Sequence, residues 1–191
     1  MTGLRRRVPG RSRADISSRA DVLRQHLKLL SGERVDAFPV VDYVEFILPQ
    51  VFEDFVLEIV EDKEMPGMEG ATWPDRMRMQ LPRSVYERAA ANDGRSRFTM
   101  SHELGHLLLH RGIPFAREMR SSEFGESKVS DIATFECSEW QANEFAAALL
   151  MPASLVRECP SVRDVMERFS VSKAAAEARL KVLKMVKPRG W

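Results

Sequence analysis

The sequence predicts an α+β fold in which a few short strands pack against helices. Residues 15–30, 98–110 and 132–151 carry apolar residues at helical spacing, as helices with a buried face do. Residues 55–60 are rich in Val, Phe and Ile, and residues 76–81 alternate apolar with polar side chains, which is typical of strands. The chain has 191 residues, of which 44% are hydrophobic, so it can bury a core of its own.

The N-terminal segment predicts a tail followed by a helix. Residues 1–13 contain five arginines and almost no apolar residue, which predicts a disordered basic tail; the alternative is a nucleic-acid-binding arm. The helix expected over residues 15–30 ends at Ser31 and Gly32. The arginines are Arg5, Arg6, Arg7, Arg11 and Arg13, and the apolar face of the helix is formed by Ile16, Ala20, Leu23, Leu27 and Leu30.

The middle of the chain predicts short elements. A helix is expected over residues 42–48 and a strand over 55–60, whereas residues 65–74, with their prolines and glycines, are expected to form a loop. The strand over residues 76–81 has one wet face and ends at Pro82. A further helix is expected over residues 83–91.

The C-terminal half predicts mostly helices. The polar stretch over residues 111–130 is expected to be a long, mobile connection, and the helix over 132–151 stops at Pro152. Two short helices are expected over residues 162–169 and 173–183, with Ser161 and Ser172 in N-cap positions.

Charge and composition exclude several classes of function. The formal net charge is +1 and the pI about 7.8, so nothing global favours nucleic acid, an acidic substrate or a membrane surface. No apolar run of about eighteen residues predicts a membrane span, and no signal-peptide core is visible near the N-terminus. Cys137 and Cys159 are too few for a disulfide framework, which favours a reducing, cytoplasmic location.

Residues 102–106 read His-Glu-Leu-Gly-His and predict a metal site. On a helix, His102 and His106 lie on one face, one turn apart, so both imidazoles can bind one ion. Glu103 lies about 100° further round, where it can hold and deprotonate a water, the general-base role of such sites. Two unpartnered histidines would be costly to bury in this apolar helix, so we favour a zinc hydrolase site over structural histidines.

A catalytic zinc needs three protein ligands and one open position. His110 has drifted about 80° from His102 around the helix, and Cys137 would favour a closed, structural site. Glu139 lies within the apolar stripe of the helix over residues 132–151, and we favour zinc as its partner over an arginine or a helix cap. Asn143, one turn on, is placed to orient a ligand or to form an interhelical hydrogen bond. The stripe is formed by Ile132, Phe135, Ala142, Ala146, Leu149 and Leu150.

Two blocks of this sequence resemble the ImmA/IrrE family of zinc peptidase-like proteins. The first is residues 97–110, Arg-Phe-Thr-Met-Ser-His-Glu-Leu-Gly-His-Leu-Leu-Leu-His, and the second is residues 139–152, Glu-Trp-Gln-Ala-Asn-Glu-Phe-Ala-Ala-Ala-Leu-Leu-Met-Pro. Residues 161–183 are similar, more loosely, to the family's C-terminal helical unit, so the resemblance covers about residues 75–183. Family sequences often have an acidic residue where Gln141 stands; we expect Gln141 to face away from the apolar stripe.

The resemblance implies a zincin-like (gluzincin) fold, with a small antiparallel sheet packed on helices and a short C-terminal helical unit. It implies that His102, His106 and Glu139 bind one zinc ion per chain and that Glu103 is catalytic. The chain then divides into the tail over residues 1–13, a zinc peptidase-like domain over 14–155 and a helix-turn-helix-like unit over 156–191. Family members are bacterial or phage regulators, some of which cleave or inactivate a helix-turn-helix repressor.

We therefore expect a zinc-dependent metalloendopeptidase with a regulatory role, acting on a protein such as a helix-turn-helix transcriptional regulator. His110, Tyr86 and Arg111 are the candidates for stabilising the oxyanion, and the strand over residues 76–81 is expected to be an edge to which substrate adds. The alternative is a non-catalytic zinc-containing regulator or toxin–antitoxin component that acts by binding protein. DNA binding is less favoured; its cations would be Lys173, Arg179, Lys181 and Lys184.

Overall fold

A long N-terminal helix opens the fold in this computed structural model, which describes residues 5–33, 35–114 and 132–185. Helix α1 (Arg13–Ser31) begins after Ser12, whose side chain accepts a hydrogen bond from the Asp15 N–H, and ends at Gly32 with a φ of 75°. Its buried residues are Ile16, Ala20 and Leu27, whereas Leu30, expected on the same face, is 59% exposed.

The sheet is small and mixed, not antiparallel as expected. Two short helices, α2 (Val40–Asp42) and α3 (Leu48–Val51), joined by a π-helical turn, precede it. The strands are β1 (Val56–Val60), β2 (Ala71–Trp73) and β3 (Arg78–Pro82), in the spatial order β1-β3-β2. Strand β1 pairs with β3 in parallel and β2 pairs with β3 antiparallel, so β3 is the central strand and not an edge.

Strand β2 lies within residues 65–74, which the sequence predicts to be a loop. A strand of three residues is too short to show a period of two, and here it stands among prolines and glycines that indicate turns. Among the described residues, β2 is therefore the edge of the sheet on one side, and β1 is the edge on the other.

Helices account for the rest of the described chain. They are α4 (Arg83–Ala90), α5 (Gly94–Leu109), α6 (Ser138–Leu150), α7 (Ala153–Val156), α8 (Val162–Phe169) and α9 (Lys173–Val182). Helix α6 begins six residues later than expected, because Thr134–Glu136 form a 3-10 turn and Cys137 is extended. Phe135 therefore lies outside the helix and is 53% exposed. Of the expected connection over residues 111–130, the part from 115 lies outside the described residues.

Helix α6 is sandwiched between α5 and α1, and α5 also packs against β2 and β3. The close contact of α5 with α6 depends on Gly105, where a Cβ atom would lie 3.1 Å from the Cα of Ala142. This contact brings the middle of α5 against the first turns of α6. Large side chains that are fully buried fill the surrounding core, among them Phe38, Phe145, Phe169, Met79, Met100, Leu104 and Leu107.

The C-terminal helices share this core. Val165 and Phe169 of α8 and Leu180 of α9 belong to the same buried cluster as residues of α5 and the sheet, so packing runs across the predicted boundary between residues 155 and 156. Arg179 is buried and donates a hydrogen bond to the Met151 carbonyl, so it is not available to DNA as the DNA-binding alternative requires. In the described ranges, no helix is both long and apolar enough to cross a membrane.

The N-terminal arm, which we define as residues 5–12, is packed against the domain and is not the disordered tail expected there. Residues 1–4 of the expected tail over residues 1–13 lie outside the described residues. The Val8 N–H donates to the Glu136 carbonyl at 2.8 Å, and the Ser138 N–H donates to the Arg6 carbonyl at 3.0 Å. Val8 is 4% exposed. Backbone pairing of this kind leaves no mark on side-chain composition, which explains why the arginine-rich sequence hides it.

Candidate metal centre

Three side chains with metal-binding atoms converge between α5 and α6. The His102 Nε2 and His106 Nε2 atoms lie 3.0 Å apart, and the carboxylate oxygens of Glu139 lie 3.4 Å and 3.2 Å from these two atoms. In the described part of the chain, these residues form the one group of three or more His, Cys, Asp or Glu side chains close enough to share an ion. All are largely buried, the least so Glu139, with a side chain 16% exposed.

The donor set fits zinc. Two ligand atoms at 2.0–2.1 Å from a tetrahedral zinc ion are about 3.3–3.4 Å apart, close to the distances between the three side chains. Two imidazoles and one carboxylate are also a ligand set of catalytic zinc sites, which keep a fourth position open. Cys137, the alternative sulfur ligand, is not a member of the group.

The electrostatics of the cluster favour a positive charge. Burial alone would lower the pKa of His102, but its hydrogen bond to Glu139 and the charges of Glu103 and Glu139 raise it above the ordinary value. Burial alone would raise the pKa of Glu139, but its hydrogen bonds to His102 and His106 hold it well below the ordinary value. The carboxylates thus stabilise a cation at this point, and a bound metal would take the place of the proton.

Asn143 orients His102. Its Oδ1 lies 3.0 Å from the His102 Nδ1, so this nitrogen carries the hydrogen and donates it. When a metal takes the place of the Nε2 proton, the Nε2 lone pair would face that ion. Asn143 is one turn beyond Glu139 on α6, so one helix supplies both a potential ligand and the group that orients another.

His110 lies behind His106, away from the atoms that converge. Its Nδ1 is 3.3 Å from the His106 Nδ1, and its Nε2 is 3.2 Å from Oε1 of Gln141. Burial, followed by the charge of His106, lowers the pKa of His110 to about 3, so the ring is neutral at pH 7. His110 can therefore accept a hydrogen bond from His106 and donate one to Gln141.

Glu103 is held by strand β2. The Thr72 hydroxyl donates to Oε2 of Glu103 at 2.7 Å. Gly70, just before the strand, lies so close that a Cβ atom there would be 2.7 Å from the Glu103 Cγ. Glu103 is 8% exposed, and these two contacts restrict where its carboxylate can lie.

Two of the predicted site residues have their contacts elsewhere. The Tyr86 hydroxyl donates to Glu45 at 2.7 Å, and this bond, with burial, raises the pKa of Tyr86 to about 12. Arg111 lies over the Phe52 ring and pairs with Asp54 at 3.8 Å. Neither contacts the converging side chains of His102, His106 and Glu139. Asn143 and His110 hydrogen-bond to the two histidines, and the charge of Glu103 acts on His102.

Sequence reasoning missed Thr72, Gly70 and the role of Gln141. Gln141 is fully buried, not turned away as expected, and its Nε2 donates to the Pro9 carbonyl at 2.9 Å and the Phe135 carbonyl at 2.7 Å. An apolar stripe predicts one buried face, but α6 packs against helices on two sides. Gly70 and Thr72 carry no sequence signal that links them to Glu103, which is more than thirty residues away.

Comparison with known proteins adds the family. A search of curated proteins found no match. The model of the family Peptidase_M78, described as the IrrE N-terminal-like domain, matches residues 60–181. This range includes the three converging side chains, Glu103, and all of the sheet except the first four residues of β1. Because the match covers more than half of the chain, the protein belongs to the Peptidase_M78 family.

Proposed function

We propose that this protein is a zinc-dependent metalloendopeptidase with a regulatory role, and that its substrate is a protein such as a helix-turn-helix transcriptional regulator. The observation that carries the proposal is the pairing of two features in one buried place. His102, His106 and Glu139 form a zinc ligand set, and Glu103 stands beside them on the next position of the same helix. A protein that only binds a partner has no need of such a base.

Glu103 acts as the general base and then as the general acid. His102, His106 and Glu139 would hold a zinc ion, which would supply Lewis acidity toward the scissile carbonyl and the attacking water. Glu103 accepts a proton from this water as its oxygen bonds to the carbonyl carbon. When the C–N bond breaks, Glu103 delivers that proton to the amine that leaves. Thr72 holds one carboxylate oxygen throughout, which fixes the direction of the other.

Substrate binding is proposed along β2. Its outer edge has no strand partner among the described residues, and a peptide in extended conformation can pair with such an edge. Since Thr72 lies in β2 and contacts Glu103, a peptide on this edge would lie next to the carboxylate. Strand β3, the edge expected from the sequence, has neighbours on both sides and cannot serve.

Metal content and peptidase activity together test the proposal. Elemental mass spectrometry should find about one zinc per chain in the wild type and in Glu103→Gln, and little in His106→Ala or Glu139→Ala. A peptide library derived from a bacterial proteome is then incubated with zinc-loaded wild type and with Glu103→Gln. We expect new peptide termini with the wild type only. Purified helix-turn-helix proteins encoded next to this gene are the first full-length substrates to try.

Two results would count against the proposal. Zinc-loaded wild type that produces no new termini would favour the non-catalytic regulator. Absence of zinc binding would remove the metal centre altogether.

A further inference from the structure

A chain of hydrogen bonds joins the metal centre to the N-terminal arm. It runs from His106 to His110 at 3.3 Å, from His110 to Gln141 at 3.2 Å, and from Gln141 to the Pro9 carbonyl at 2.9 Å. The same amide also donates to the Phe135 carbonyl at 2.7 Å. The connection therefore crosses from α5 through α6 to a segment that the family match does not include.

Each hydrogen bond in this series can be donated in the same direction, from His106 toward the N-terminal arm. If His106 presents Nε2 to a metal, its Nδ1 carries the hydrogen and donates it to the His110 Nδ1. Because the His110 Nδ1 accepts this hydrogen, the hydrogen of His110 lies on Nε2 and is donated to Oε1 of Gln141. The Gln141 amide nitrogen then has two hydrogens, one for each backbone carbonyl that it contacts. Every step follows from the one before, without a clash of donors or of acceptors.

The arm is held at the same point by its own backbone. The Arg11 N–H donates to the Phe135 carbonyl at 3.0 Å, and the Val8 N–H donates to Glu136. Gln141 thus bridges two strands of backbone that already pair with each other. A glutamate in its place would direct a carboxylate oxygen at two carbonyl oxygens, which repel it. An amide at position 141 is what this docked arm requires.

We propose that the N-terminal arm supports the metal centre by positioning His106 through Gln141 and His110. Arm docking and metal binding then strengthen each other. This inference rests on the proposal that His102, His106 and Glu139 bind zinc. Gln141 and His110 are positioning residues, since neither contributes an atom to the converging ligand set. Groups that orient a metal-binding histidine commonly change metal affinity by 10–100-fold when they are removed.

Reciprocity supplies the first test. If the docked arm strengthens zinc binding, zinc must strengthen arm docking by the same factor. Amide hydrogen exchange of Val8 and Arg11, measured by NMR, should therefore slow by about tenfold or more when zinc is added to the metal-free wild type. The Gly32 N–H, bonded to Lys28 at the far end of α1, is the control and should not respond. An arm that only stabilises the fold would give no zinc effect beyond that of the control.

Two substitutions supply the second test, with zinc affinity measured by chelator competition. Gln141→Leu removes the bridge, and Val8→Asp places a charge at a buried position of the arm. Each should weaken zinc binding by about 10–100-fold, and the double variant should bind no more weakly than the weaker single variant, because both break one connection. Val22→Asp, at an exposed position of α1, is the matched control and should bind zinc as the wild type does.

The outcomes separate the two proposals. Tight zinc binding by the wild type, with unchanged affinity in Gln141→Leu and Val8→Asp, would overturn the role of the arm and leave the metal centre intact. A wild type that binds no zinc would overturn both. The absorption spectrum of the cobalt-substituted protein gives an independent reading, since a displaced His106 changes the bands of the coordinated ion whether or not affinity falls.

Discussion

At the scale of single residues, the hydroxyl of Thr72 holds the carboxylate of Glu103, the proposed general base. A glutamate side chain rotates about three bonds, so an unrestrained carboxylate can take many positions. The hydrogen bond from Thr72 and the close approach of Gly70 remove that freedom before any substrate arrives. Part of the orientation of the base is therefore supplied by the sheet and not by the helix that carries the motif.

This arrangement makes Thr72→Val a selective probe. Valine keeps the shape of threonine but cannot donate to Glu103, and a hydrogen bond to a charged group contributes about 1.5–3 kcal/mol. We expect peptidase turnover to fall by about 10- to 100-fold, with zinc content and KM close to the wild type. Thr72→Ser is the control and should restore most of the rate. Equal turnover in all three proteins would mean that Thr72 has no part in orienting the base.

At the scale of elements, α5 depends on the residue just before it as well as on its motif. Asp93 caps the helix, and its carboxylate accepts hydrogen bonds from the N–H and the hydroxyl of Ser96 at 2.8 Å and 2.7 Å. These bonds lower the pKa of Asp93 below its ordinary value. Side-chain N-caps of this kind typically contribute about 1 kcal/mol to stability.

Asp93→Ala is therefore expected to lower the free energy of unfolding at pH 7 by about 1 kcal/mol, measured by urea denaturation. Asp93→Asn should retain most of it, since asparagine also caps helices. The pKa is lower in the folded state, so the carboxylate stabilises above the unfolded value of 3.8 and loses this effect as the pH falls through the folded pKa. The difference between wild type and Asp93→Ala should shrink in that range; a constant difference would contradict the role of the charge.

How well the sequence predicts each element depends on how many faces that element buries. Helix α1 has one buried face, and its apolar spacing predicts its limits to within two residues. Helix α6 is buried on two sides, so its apolar stripe places Glu139 correctly but misplaces Gln141. Strand β2 is three residues long and shows no period at all. His102 and His106 are predictable because their spacing on one helix is local; Thr72 and Pro9 are not, because only the fold brings them near.

At the scale of the whole molecule, the metal centre joins two helices that are far apart in sequence. His102 and His106 come from α5 and Glu139 from α6, so one ion would tie the two central helices together. A ligand that binds the folded state alone adds to stability, by about 4 kcal/mol when its free concentration is a thousand times Kd. The N-terminal arm and α1 cover the other side of α6. Residues outside the family match therefore also support the helix that carries Glu139.

Zinc should accordingly raise the melting temperature. For a chain of this size, about 4 kcal/mol corresponds to roughly 10 °C, measured by differential scanning calorimetry with zinc and after treatment with a chelator. His106→Ala is the comparison and should show little response. A response equal to that of the wild type would place the stabilising ion at some other site.

The brevity of β2 has a further consequence, for solubility. A peptidase that receives extended peptides must keep one sheet edge unpaired, and an unpaired edge is a template on which other copies of the same chain can aggregate. With only Ala71–Trp73 at that edge, a second molecule gains too few backbone hydrogen bonds to remain, whereas a substrate bound as proposed would also be held at its scissile bond. A longer β2 would grip its peptides more firmly and leave the protein prone to polymerise.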